Sequence, residues 1–212
     1  MKATATYHSP LREAQAAATR DRIVEACKAV MQRGDDLTYT AVAAAAEVQE
    51  RTVYRHFPTK EDLEGALWEW IVDNLTHADL AATNEEQLLA AMRLSFAGFD
   101  AGAPLIEAML RSPQGSVIRR RQQPRRQAMF DACVAVAVPD ASPRMRARAS
   151  AVLQVLYSAS TWELLRNFRD MDGAQAADAV ELAIRSFLAG LRSFAQQQDR
   201  YDAVRHRKRR KP

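Results

Sequence analysis

Residues 37–63, LTYTAVAAAAEVQERTVYRHFPTKEDL, leave the chain little choice of local structure. They read as a short helix, a tight turn, a second short helix, a stop and the start of a third. Thr38 is a hydroxyl N-cap before a helix-forming run from Tyr39 to Ala45, and the alanines at 41 and 43–46 let another helix approach closely. The pattern lapses over residues 46–49, where Val48 is the apolar residue placed to plug the angle between two crossing helices. In the next helix, about Glu50 to Phe57, Val53 and Phe57 lie four apart and turn one face inward. The opposite face carries Glu50, Arg51, Thr52, Tyr54, Arg55 and His56, on a segment too short to be stable alone. Pro58 stops that helix, and Thr59 caps the next, with Asp62 three residues on as in a capping box. Lys60 at this new N-terminus opposes the helix dipole, which implies that an anion docks against Lys60 and the free N–H groups beside it.

A helix-turn-helix with a polar second helix is sized for the major groove of DNA, and the third helix's N-terminus for a phosphate. Thr38 with Val42-Ala43, Ala46-x-Val48, and Thr52-Val53-Tyr54-Arg55-His56-Phe57-Pro58-Thr59-Lys60-Glu61-x-Leu63 resemble the signature of the tetracycline-repressor (TetR) family of transcriptional regulators. Ile23-Val24-Glu25-Ala26-Cys27 and Val30-Met31-x-Arg33-Gly34 resemble that family's first helix, so the likeness runs from about Thr19 to Leu63. It implies a homodimer with a three-helix DNA-binding head, a linking helix and a larger helical body that binds an effector, with repression as the default mode. Two residues depart from the pattern. Glu47 stands where the family usually has Gly, at a cost of roughly 1 kcal/mol if the turn is left-handed. Gln49 replaces a small residue such as Ser, which weakens the hydroxyl cap and offers an amide to a base.

Lys60, Tyr54, Thr52 and His56 are expected to hold phosphates, while Thr40, Gln49, Glu50, Arg51 and Arg55 face base edges and Thr38 completes the set. Glu50 accepting from a cytosine amino group and Arg51 or Arg55 pairing with guanine are the natural chemistries. The net charge of +4 does not sit here: residues 1–63 hold nine basic and nine acidic groups. Six arginines and no acid fall in residues 111–126, and seven Lys/Arg against two Asp in residues 199–212. DNA affinity must then come from placed contacts rather than a broad positive field.

Seven glycines in 212 residues and the lack of β-branched alternation point to an all-α chain. Its expected domains are a head over 1–63 with an extension over 1–18, a helical effector-binding and dimerisation domain over 64–198, and a basic, disordered tail over 199–212. In the extension Ser9-Pro10 or Thr19 can start a helix. The terminus reads as frayed and solvated, with minor-groove contact by Lys2, Arg12 and Arg20 as the alternative. In the body a linking helix runs to about Thr76, with Leu63, Leu67, Trp70, Ile71 and Leu75 on one stripe. Asn84 caps the next helix, and a short one follows from Leu105 to Leu110. Residues 111–126 read as a solvated loop and helix start, or alternatively as a rim for an anionic ligand or DNA phosphates. A further helix ends near Pro139, one of about 27 residues runs from Pro143 to Met171, and the last runs from Gly173 to about Gln198. The last two long helices carry surplus apolar surface suited to a four-helix dimer interface.

A largely apolar effector pocket is expected among Met92, Phe96, Phe99, Met109, Phe130, Cys133, Tyr157 and Trp162, residues which at helical spacing serve equally as plain core. His8, His56, His77 and His206 lie in separate segments, and no glycine-rich phosphate loop or nucleophile elbow occurs. No enzyme, metal or cofactor is therefore expected. Cys27 and Cys133 read as buried packing. No apolar run reaches ~18 residues and the N-terminus lacks a secretion core, so a cytoplasmic protein without membrane contact is expected. The partners follow: an operator, a second copy and a small-molecule effector. Two other readings stay open, a DNA-binding regulator without an effector and a helical enzyme or carrier that keeps the head as scaffold.

Overall fold

The computed structural model describes residues 10–75 and 82–209, with side chains up to residue 197. The described residues form ten α-helices and no strand. The head holds α1 (Pro10–Gln32), α2 (Tyr39–Ala45) and α3 (Glu50–His56). The body holds α4 (Lys60–Leu75), α5 (Glu85–Ala101), α6 (Ala103–Arg111), α7 (Pro113–Ala137), α8 (Pro143–Leu156), α9 (Ala159–Arg169) and α10 (Gly173–Arg209). No described helix is long and apolar enough to cross a membrane.

The head closes over Ile23, Cys27, Val30, Val42, Val53 and Phe57, all inaccessible to solvent, which satisfies the apolar spacing of three short helices at once. Helix α1 starts at Pro10, so Thr19 lies inside it and its hydroxyl donates to the Gln15 carbonyl at 2.8 Å instead of capping. Lys2, His8, Ser9, Thr76 and His77 lie outside the described residues.

Helix α4 leaves the head and becomes part of the body's core through Leu63, Leu67 and Ile71, as their spacing requires. Trp68 is also buried, and its indole N–H donates to Ser112 Oγ at 3.2 Å, tying α4 to the start of α7. Asn84 caps α5 by accepting from Gln87 N–H at 3.0 Å. Both thiols are buried, which pushes Cys27 up to about 12 and Cys133 to about 11.

Three stretches differ from the sequence expectation. Residues 113–126 are helix, not loop: Ser112 accepts from Gly115 N–H at 3.2 Å and Pro113 occupies the first turn, where its missing N–H is harmless. Pro124 is carried inside α7, at the loss of one backbone bond. The single long helix expected from Pro143 is broken at Tyr157 and Ser158, both outside helical geometry. Ser158 caps α9 through Thr161 N–H at 3.1 Å, and its own hydroxyl donates to the Val155 carbonyl at 2.8 Å. The Tyr157 carbonyl freed by the break accepts from Arg126 at 2.7 Å. Finally, the last helix does not end at Gln198: its backbone runs to Arg209, through most of the segment read as a disordered tail.

Candidate nucleic-acid interface

The turn between α2 and α3 is left-handed at Glu47, with φ of 53°. Val48 N–H donates to the Ala43 carbonyl at 3.0 Å and closes the end of α2. Gln49 sits at the N-cap position before α3 and makes no side-chain cap, so its amide is exposed and uncommitted to the helix end. Val53 and Phe57 hold α3 against the head core, which fixes the direction of everything on its other side.

Gln49, Glu50, Arg51, Tyr54 and Arg55 are exposed there, as are Thr38, Thr40 and Lys60 on the flanking elements; Thr52 is half-buried. Thr40 donates to Glu50 Oε2 at 3.0 Å, so these two expected base readers are already paired with each other. Thr38 accepts from Ala41 N–H at 3.1 Å and is thus committed to capping α2. Tyr54 lies flat on Tyr39, with ring centroids 3.8 Å apart and planes 13° apart, and the Tyr39 hydroxyl donates to the Phe57 carbonyl at 2.9 Å. That stack stiffens the exposed aromatic of α3. Tyr39 was missed from sequence because its partner sits across the turn, where no helical period relates them.

His56 is placed differently from its neighbours. It is half-buried and its Nε2 is buried without a hydrogen-bond partner. Burial first, and then Arg55 and Arg20, hold its pKa below the usual histidine value, so it stays neutral near pH 7. Arg20 stacks over the Phe57 ring at 4.3 Å and points a guanidinium nitrogen at the His56 carbonyl, 3.5 Å away. At the start of α4, Thr59 and Asp62 form the reciprocal capping box: Thr59 N–H donates to Asp62 Oδ2 at 3.1 Å and Asp62 N–H to Thr59 Oγ1 at 3.1 Å. Lys60 beside it lies 3.7 Å from Glu64 and keeps its ammonium exposed.

The body contains a cavity of about 320 Å³. Val72 of α4, Phe99 of α5, and Met109 and Leu110 of α6 form its apolar wall. Helix α7 contributes Ser116, Arg119, Arg120, Gln122, Gln123 and Arg126; Gln154 and the first turn of α9 close it. Of the expected pocket residues only Phe99 and Met109 line this space. Met92, Phe96, Phe130, Cys133, Tyr157 and Trp162 are buried core instead. Tyr157 shares a 2.6 Å hydrogen bond with Ser95 and packs edge-on to Phe96 and Phe130, while Trp162 packs on Phe99. The polar wall comes from the stretch whose first reading was a solvated loop and helix start and whose alternative was a rim for an anionic ligand or DNA phosphates.

The comparisons with known proteins agree with this arrangement. Residues 23–67 match the family model described as bacterial regulatory proteins, tetR family. Among solved structures, the fold resembles the TetR family transcriptional regulator PfmR from Thermus thermophilus, at TM-score 0.56 and 20% identity over 80% of this chain and 95% of that one. It also resembles the multidrug binding protein EbrR complexed with imidazole, at 0.56 and 20% over 84% of this chain and 90% of that one. A TetR-like transcriptional regulator from Rhodococcus sp. RHA1 is similar at 0.53 and 19%, over 87% and 99%. No curated protein matches the sequence. Residues 23–67 thus match the helix-turn-helix model of the tetR family, with α3 exposed, and the chain as a whole shares the fold of these regulators.

Proposed function

We propose that the protein is a homodimeric repressor that binds a palindromic operator through α3 of each copy and lets go when a small, largely apolar effector occupies the body. The reading divides the chain into a head over 1–63, a body over 64–198 and a basic end over 199–212. Its main support is the exposed polar face of α3, anchored from behind by Val53 and Phe57 and flanked by the capped, cationic start of α4. In this division of labour Lys60, Tyr54 and Thr52 hold phosphates, and Gln49, Arg51, Arg55 and the Thr40–Glu50 pair face base edges. His56, neutral and half-covered, supports the helix from behind rather than gripping a phosphate.

Release would work through α4. Val72 borders the cavity, and Trp68, one turn earlier on the same helix, is bonded to Ser112 at the start of α7. A ligand that separates α7 from α4 moves the helix whose first turn carries Lys60. It can do so only by its differential affinity for the two arrangements.

Dimerisation is supported by apolar surface that the single chain leaves uncovered. Phe168 is 77% exposed and Leu164 56% on α9, and Leu182 is 69% exposed on α10. Large apolar residues gathered on neighbouring helices mark a contact surface. The test is to select bound fragments from the source genome, then measure their release by candidate ligands. The expected sites are paired half-sites about 34–36 Å apart or a multiple of that. Single, unpaired sites would overturn the dimeric reading.

A further inference from the structure

The structure assigns to the body's cavity a ligand with an anionic head and an apolar tail, a medium-sized organic carboxylate, held by Arg119 and Arg126. The inference rests on the effector reading of this cavity and adds to it the charge of what binds.

Helix α7 should bury an apolar stripe, since it lies between α4, α6 and α8. Over two of its turns it buries something else. Arg119 and Arg126 are seven residues apart and therefore on one face, with Gln122 and Gln123 between them, and all four line the cavity. Both arginines are half-buried, and burial is the leading cause that lowers the pKa of each guanidinium. A cation withdrawn from water is normally matched by a carboxylate. Among the described residues no acidic side chain lines the cavity. Arg119 donates to the Met109 carbonyl at 2.7 Å and to Ser116 Oγ at 3.1 Å; Arg126 donates to the Tyr157 carbonyl at 2.7 Å and lies over the Phe130 and Tyr157 rings. Those partners are neutral. Glu163, the acid that acts on Arg119 from outside the cavity, is shared with Arg111 at 3.4 Å.

The break between α8 and α9 adds to the same end of the space. Ser158, Ala159 and Ser160, the cap and first turn of α9, line the cavity, so the positive end of that helix dipole and Arg126 converge there. The apolar wall of Val72, Phe99, Met109 and Leu110 takes the tail. At about 320 Å³ the space is at the small end of ligand cavities, which fits a medium-chain or arylalkyl acid. A guanidinium fork suits a planar carboxylate, and a cationic drug-like ligand is repelled by the same wall.

The full-length protein is titrated calorimetrically with octanoate and phenylpropanoate, and with octylammonium and octanol as matched controls of opposite and zero charge. The acids should bind at least about tenfold more tightly than the alcohol, with the amine weakest. Arg119→Gln should lose that preference while still binding octanol as the parent does. Because Arg119 and Arg126 also satisfy the Met109 and Tyr157 carbonyls, Arg119→Gln and Arg126→Gln are both accompanied by Arg120→Gln, an exposed position on the same wall, which should weaken the acids to a lesser degree. Equal binding of acid, alcohol and amine, no binding of either acid, or an Arg119→Gln variant that keeps the preference overturns the assignment. Operator release is read separately. Acids that bind without releasing DNA leave the anion site standing and remove the effector reading; a neutral or cationic compound that releases DNA while acids fail to bind does the reverse.

Discussion

At the residue scale, the proposed interface divides into groups that would position and groups that would read, and the two kinds should answer differently to mutation. Lys60 offers an exposed charge at the N-terminus of α4, 3.7 Å from Glu64. Lys60→Ala should weaken binding to every sequence alike and flatten the salt dependence by about one charge. Arg51→Ala should instead relax the choice at one base pair by about 1–3 kcal/mol, read by competition among single-base operator variants. Glu47 tests the turn: with φ of 53° it holds a conformation that costs a side chain about 1 kcal/mol, so Glu47→Gly should raise the denaturation midpoint. His56 gives a pH signature. Its pKa is lowered in the folded head from an ordinary 6.5, so the unfolded chain binds the proton more readily. The shift costs nothing well above pH 6.5, where both states are neutral, and destabilises the fold increasingly as pH drops through and below that value. Urea midpoints at pH 7.5 and 5.5 should separate more in the parent than in His56→Gln.

At the scale of the helix, the sequence announces an element when the signal is local. Thr38, Asn84 and the Thr59–Asp62 pair start α2, α5 and α4 where hydroxyls, amides and carboxylates meet free N–H groups, and each start was readable. The polar face of α3 was readable for the same reason. The body was less so. Two prolines and an arginine cluster read first as a solvated loop and helix start, although Ser112 and Pro113 form a cap and first turn, and only the alternative reading, a rim for an anionic ligand or DNA phosphates, left room for the cavity's polar wall. The break after Leu156 has no apolar signature, because the stripe continues through it. It is settled by distant partners: Ser95 on the Tyr157 hydroxyl and Arg126 on the Tyr157 carbonyl. Stacking of Tyr39 on Tyr54 and the burial of His56 likewise depend on neighbours that no periodicity relates. Ser158 is the local half of the break, capping α9 at 3.1 Å. Ser158→Ala should cost about 1 kcal/mol, seen as a fall of about 2–4 °C in Tm for a chain of this size.

At the scale of the whole molecule, α10 has two faces of different character, one buried and one exposed. One docks on α5 through Ile184 and Leu188, both fully buried, and is framed by Arg185 with Glu86 at 2.9 Å and Arg192 with Glu85 at 3.0 Å. Exposed ion pairs of this kind add little individually, so the apolar contact carries the docking. The opposite face exposes Leu182 and Phe194, and between them Ser186, Ala189, Gly190 and Ser193, small residues that let a second helix come close. At Gly190 an added Cβ meets nothing within 4 Å in the single chain. Gly190→Glu should therefore leave the monomer folded, and even gain about 0.5–1 kcal/mol of helix propensity, while placing a charge in the middle of the proposed dimer contact. Light scattering should then report a monomer with unchanged helical circular dichroism. Operator affinity should fall by roughly two orders of magnitude or more, because the second half-site is no longer tethered to the first. A Gly190→Glu protein that stays dimeric and keeps its operator would move the dimer contact to another face.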